Sequence, residues 1–225
     1  YKMGAKTSTA LKVCGVTRID QAKAIAQIGV DAIGVIGVKG SPRFLDEAKR
    51  RNLFAELICS QPSLERVWVI NDLNNDEITT GVEGFGPPSI VQLHGKESPS
   101  RCLELRKKHP NIKWWKAIQI NNSKDLELAQ SYKGNVDAVL LDGWSSNQLG
   151  GTGTRIPIQL LQLEKFKLPW WLAGGVSAEW VPKMLEKTQP FGIDASSKLE
   201  KEPGIKDLNK VKELVKAIKL KSEFK

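Results

Sequence analysis

The sequence is poor in the residues that build several whole classes of protein. It has three cysteines, Cys14, Cys59 and Cys102, an odd number with no paired spacing, so a disulfide framework is excluded. Only two histidines, His94 and His109, are present, and with the scattered cysteines they offer no metal-ligand spacing, so no metal site is expected. No apolar run reaches membrane-spanning length, and nothing near the N-terminus has the charged, apolar and small-residue order of a signal sequence. These absences point to a soluble protein of a reducing compartment, the cytoplasm, with no membrane partner. There is also no arginine run and no finger or RNA-recognition signature, so nucleic acid is not expected as a partner.

The charge that is present has one sign in excess. Lys and Arg number 34 against 25 acidic residues, a formal net charge of +9, which favours a small anionic ligand. The basic C-terminal stretch KVKELVKAIKLKSEFK carries Val211, Leu214, Val215, Ile218 and Leu220 at helical spacing, so its lysines read as the solvated face of a helix.

The 225 residues alternate between two periods. Short apolar runs at 11–15, 32–37, 66–70, 90–94, 115–120, 138–142, 170–174 and 191–196 read as strands buried on both faces. Amphipathic segments such as IDQAKAIAQIG, PSRCLELRKKH, SKDLELAQSY, AEWVPKMLEK and DLNKVKELVKAI lie between them. Eight strand–helix units in one undivided domain predict an α/β fold, a single (β/α)8 TIM barrel over 11–225, with an open doubly wound sheet as the alternative. Residues 1–10 lack periodicity and read as a loose leader.

A barrel gathers the C-terminal ends of its strands at one mouth. Cys14 would end the first strand, His94 the fourth, Asp142 the sixth and Asp194 the eighth, with Arg43 in the loop after the second. Glycine-rich segments follow the late strands: LGGTGT with Gly151 and Gly153, AGG with Gly174 and Gly175, then DASS with Ser196 and Ser197. Backbone N–H groups in such loops can approach a phosphate closely, so the expected ligand is a phosphorylated small molecule.

The ordered motifs KVCGVT, VQLHG, LLDG followed by GGTGT, LAGGV, GIDASS and PGIKD resemble those of phosphoribosylanthranilate isomerase, from about Leu11 to Asp207. The resemblance implies an isomerase of tryptophan biosynthesis, which carries out a cofactor-free Amadori rearrangement of N-(5-phosphoribosyl)anthranilate. It implies Cys14 as the base that removes the C2 proton and Asp142 as the acid that opens the sugar ring. It also implies Arg43 as receptor of the anthranilate carboxylate and Asp194 near the amine or sugar hydroxyls. A monomer or homodimer is expected. The alternatives are another sugar-phosphate isomerase of histidine-pathway type and a phosphate-binding barrel without catalysis.

The chemistry sets conditions on both groups. Cys14 acts as a thiolate, whereas a free thiol has a pKa of about 8.5. Lys12 is read as pointing away from Cys14 and is not credited with activating it. Asp142 must hold a proton, which requires desolvation or a nearby negative charge. On this basis the acidic limb of a bell-shaped pH profile is expected to report Cys14, and the alkaline limb Asp142. His94 is left outside the catalytic set, and Cys59 and Cys102 are read as core. Two departures from the family pattern stand out: VIGVKGSPRF lacks the aromatic residues usual after the second strand, and Lys198 replaces the glycine after DASS.

Overall fold

The computed structural model describes residues 9–143, 155–162 and 166–223. Eight parallel strands close into a barrel in chain order: β1 (Ala10–Cys14), β2 (Ala32–Ile36), β3 (Glu65–Ile70), β4 (Ile90–Leu93), β5 (Lys113–Ile120), β6 (Ala138–Gly143), β7 (Trp170–Leu172) and β8 (Gly192–Ala195). Strand β8 pairs back onto β1, with Lys12 opposite Asp194. All eight lie within two residues of the runs picked out by hydrophobicity, and β1 begins at Ala10, inside the segment expected to be leader. The closed order excludes the open sheet.

Helices follow the strands: α1 (Ile19–Ile28), α2 (Glu47–Ser60), α3 (Asn75–Val82), α4 (Pro99–Lys108), α5 (Ser123–Ser131), α6 (Ile158–Gln162), α7 (Val181–Lys187) and α8 (Leu208–Glu223). Their starts are chemically marked. Asn74 with Glu77, and Asn122 with Asp125, form reciprocal capping boxes at α3 and α5, while Ser98 caps α4 ahead of Pro99. A short antiparallel pair, β9 (Glu200–Glu202) and β10 (Ile205–Lys206), returns the chain from β8 to α8. Helix α8 buries Val211, Leu214, Val215 and Ile218, while Leu220 is exposed. Among the described residues, no helix is long and apolar enough to cross a membrane.

The strands are apolar along both faces because the barrel has two cores. Leu11, Val13, Val91, Leu93, Trp114, Val139 and Leu141 pack outward with helix residues such as Leu53, Leu105 and Leu214. Ala10, Cys14, Val67, Val69, Trp115, Leu140, Trp171 and Ala173 form a second cluster, of opposite strand parity. Large residues in this second cluster stand beside small ones: Trp115 is in register with Ala138, and Trp171 with Gly192. The two indoles sit 4.6 Å apart between centroids, with Phe191 against Trp171 at 5.9 Å.

That packing leaves no space for a methyl group at Gly192. A Cβ there would lie 2.4 Å from the Trp171 ring. Gly192→Ala is expected to destabilise the fold by roughly 1–3 kcal/mol through overpacking. A denaturant midpoint indistinguishable from the parent would contradict this packing.

Candidate active site

Closing the barrel brings the strand ends to one cleft. Cys14, Arg43, His94, Asp142 and Asp194 all line it, together with Gly174, Gly175, Ser196 and Ser197 from the last two loops. Every described residue singled out from the sequence for the site therefore lines this one cleft. Gly151 and Gly153 lie outside the described residues, as does most of the expected leader. Lys198 is also on the cleft wall, exposed to solvent.

Beneath Cys14 lies a buried ion pair. The Lys12 side chain is fully buried, and its Nζ is 2.9 Å from Asp194 Oδ2. Lys12 also lies beside the Cys14 sulfur, the two side chains meeting over Gly34. The expectation that Lys12 points away is wrong for a simple reason: residues two apart on a strand share a face. Burial opposes the Lys12 charge, but Asp194 and the Cys14 sulfur outweigh it, and the ammonium lies above the ordinary lysine value. Burial likewise dominates Cys14 and raises the thiol above its ordinary value, despite the opposing pull of Lys12.

Across the cleft, burial has the effect that an acid needs. Desolvation, assisted by the negative charge of Asp194, pushes the Asp142 carboxyl up to about 7. Its neighbour His94 has Nε2 at 3.9 Å from Asp142 Oδ2. Desolvation brings His94 down to about 4, so this ring is neutral at pH 7 and does not form an ion pair. The Gln92 amide nitrogen lies 3.1 Å from His94 Nδ1 and can only donate, which leaves the ring proton on Nε2. That Nε2 is buried and has no hydrogen-bond partner among the described residues, and the same holds for Asp194 Oδ1. Such groups are usually satisfied, so both are open valences for a ligand in the cleft.

The third element is a cationic wall. Glu200 takes one edge of the Arg43 guanidinium, with Nε at 2.8 Å and Nη2 at 2.7 Å, and it also accepts from Lys206 at 2.6 Å. Burial works against ionising Glu200, but the hydrogen bonds from Arg43 and Lys206 hold its carboxyl below the ordinary value. The end-on pair of Arg43 N–H groups is left for a ligand. Gly15 makes this approach possible, because a Cβ there would lie 2.6 Å from Arg43 Cδ and 3.2 Å from Ser196 Oγ. In turn, Ser196 Oγ donates to the Cys14 carbonyl at 3.0 Å.

Lys12, Glu200 and Gln92 were not singled out from the sequence as site residues. Strand parity was enough to find Lys12, and Lys206 belongs to the PGIKD motif, but Glu200 had no isolated signal. Of the other cysteines, Cys102 is buried in α4, where desolvation pushes its thiol up to about 12. Cys59 is exposed on α2 and is not core, because Leu53, Phe54 and Leu57 already form the buried stripe of that helix.

A buried neutral acid, a thiol beside an ammonium and a free guanidinium edge suit proton transfer on a small anionic molecule. Comparison with known proteins agrees. Residues 11–217 match the family described as N-(5'phosphoribosyl)anthranilate (PRA) isomerase. The N-(5'-phosphoribosyl)anthranilate isomerase of Synechococcus sp. (strain JA-3-3Ab) is 42% identical over 209 residues, covering 92% of this chain and 90% of the relative. Its counterpart from Thermosynechococcus vestitus is 40% identical over 208 residues, covering 92% and 88%. The crystal structure of the Thermotoga maritima phosphoribosyl anthranilate isomerase superposes with a TM-score of 0.83 at 29% identity, covering 94% of this chain and 98% of that one. A further structure of such an isomerase, in complex with reduced 1-(o-carboxyphenylamino)-1-deoxyribulose 5-phosphate, gives 0.80 at 28% identity, covering 94% and 98%. By sequence along nearly its whole length and by fold, the chain belongs to the phosphoribosylanthranilate isomerase family.

Proposed function

We propose that this protein catalyses the Amadori rearrangement of N-(5'-phosphoribosyl)anthranilate to 1-(o-carboxyphenylamino)-1-deoxyribulose 5-phosphate, a cytoplasmic step of tryptophan biosynthesis. One observation carries the residue assignment. Asp142, near the end of β6, is a carboxyl whose titration burial lifts to about 7, and it shares a cleft with the thiol that ends β1. Asp142 gives its proton to the ring oxygen, the C1–O bond breaks, and a protonated imine forms. The Cys14 thiolate then takes the C2 proton, and the electron pair of that C–H bond moves to neutralise the imine. The resulting enolamine tautomerises to the ketone.

The remaining groups divide the substrate among them. The free edge of Arg43 receives the anthranilate carboxylate, for which a planar fork is well shaped. Asp194 Oδ1 accepts from the amine or a sugar hydroxyl, filling the valence left open. The phosphate lies against the N–H groups of Gly174, Gly175, Ser196 and Ser197, beside Lys198. Gly151 and Gly153 are proposed for the same subsite on sequence grounds.

The raised thiol and the value near 7 at Asp142 reverse the expected order of the pH limbs. The active form, thiolate with neutral acid, is then a minority species. Below pH 7, each step up in pH adds thiolate without removing acid, so activity rises. Between the two values, gain of thiolate and loss of acid cancel. Above the Cys14 value only the loss of acid remains. The kcat/KM profile should therefore be bell-shaped with its acidic limb near pH 7, reporting Asp142, and an alkaline limb reporting Cys14. An acidic limb near 4 would mean that Asp142 titrates at its ordinary value and is not held protonated by burial.

Substitutions separate the roles when anthranilate fluorescence is followed during turnover. Cys14→Ala and Asp142→Asn should each abolish turnover while leaving product-analogue affinity nearly intact, and near-native rates in either would remove that residue from the mechanism. Asp142→Asn should also be the more stable protein. A carboxyl whose folded value is raised destabilises the fold progressively as pH climbs from about 4 to about 7. The gain in the variant should thus be full above pH 7 and absent near pH 3, which separates lost chemistry from lost folding. Arg43→Lys keeps the charge but loses the fork, so KM should rise by the equivalent of roughly 1.5–3 kcal/mol. An unchanged KM would exclude carboxylate recognition there.

A further inference from the structure

The buried lysine under the nucleophilic edge of the cleft has no part in the roles assigned so far. We propose that Lys12 is the positioning residue that favours the thiolate of Cys14, and that Asp194 competes with the sulfur for the lysine's charge. The geometry supporting this is local. Lys12 and Cys14 lie on one face of β1, and Lys12 Nζ, bound to Asp194 Oδ2 at 2.9 Å, is close enough to the Cys14 sulfur to oppose the rise of its thiol. Across the β1–β2 register Cys14 stands opposite Gly34. A Cβ on Gly34 would lie 2.8 Å from Cys14 Sγ and 3.0 Å from Lys12 Cε, so the space in which thiol and ammonium lie side by side is the space of the missing side chain.

The other charges around the sulfur do not provide this control. Arg43 and Lys206 are positive toward it, but both are tied to Glu200. Asp142, which titrates at about 7, is not paired with Lys12 among the described residues, and His94 is neutral. That leaves Lys12 and Asp194 as the opposed pair, in a buried setting where charge–charge coupling is far stronger than in water. Asp194 has one oxygen on Lys12 and one buried oxygen without a partner among the described residues. A ligand N–H or O–H placed on that free oxygen draws negative charge away from Lys12 and frees the ammonium for the sulfur. The thiol proton leaves to water at the cleft mouth, Lys12 stays protonated throughout, and the sulfur becomes a thiol again when it accepts the substrate proton.

The catalytic meaning of this pair rests on Cys14 being the base, but the thiol can be probed without turnover, so the two readings fail separately. Iodoacetamide labelling of the full-length protein between pH 6 and 10, resolved by peptide mass spectrometry, reports the Cys14 midpoint, with exposed Cys59 as internal reference. Lys12→Met should move the Cys14 midpoint up by at least about one pH unit, making alkylation roughly tenfold slower at pH 8. Asp194→Asn should move it down, making Cys14 more reactive even though Asp194 is a proposed substrate ligand. A purely structural ion pair predicts shifts of the same sign in both, and that result, or an unmoved midpoint in Lys12→Met, overturns the proposal. If Lys12→Met alone does not fold, Asp194→Asn is compared with the Lys12→Met, Asp194→Asn double variant, which buries no unpaired charge. The proposal requires slower Cys14 labelling in the double variant, and equal rates overturn it.

Discussion

The ion pair between Lys12 and Asp194 crosses the seam where the last strand meets the first, and the site depends on it. A single-residue slip of β8 against β1 would put Ile193 or Ala195 opposite Lys12 and leave a buried ammonium unpaired. Breaking a buried pair by removing one partner typically costs about 3–5 kcal/mol, so this pair opposes misregister strongly. With the register set, Cys14 comes into line at the mouth beside β8, and Ser196 can reach its carbonyl.

Burial then acts in opposite senses on neighbouring groups. The desolvation that keeps Asp142 protonated would also strip the charge from Lys12, Arg43, Lys206 and Glu200 if they stood alone. Each of those four has an oppositely charged partner within hydrogen-bond distance, whereas Asp142 faces a neutral histidine. The difference between a charged wall and a neutral acid thus lies in pairing, not in depth. The open valences at His94 Nε2 and Asp194 Oδ1 belong to residues that line the cleft, where a ligand can supply what the fold leaves out.

Most of the fold was legible because barrel strands bury both faces, so VWVI and AVLL read as unbroken apolar runs. Cys14, Asp142 and Asp194 were legible as polar residues interrupting such runs near their ends. Lys12 was visible in the same stretch and misread, although period-two alternation sets it on the face of Cys14. Glu200 was not legible in the same way. Its partner Arg43 is 157 residues away in sequence, and only the return of the chain through β9 and β10 brings the two together. Cys59 was misread for the opposite reason, since α2 is so charged that its narrow buried stripe is hard to place by spacing alone.

Ring opening depends on the protonation of one carboxyl. Carbon-13 NMR of the protein labelled at aspartate side-chain carboxyls, with Asp142→Asn used to assign the resonance, gives the titration of Asp142 directly. A midpoint near 7 is the expected result. A midpoint close to the ordinary aspartate value of about 3.9 would show that burial does not keep this group neutral, and would contradict its role as the acid.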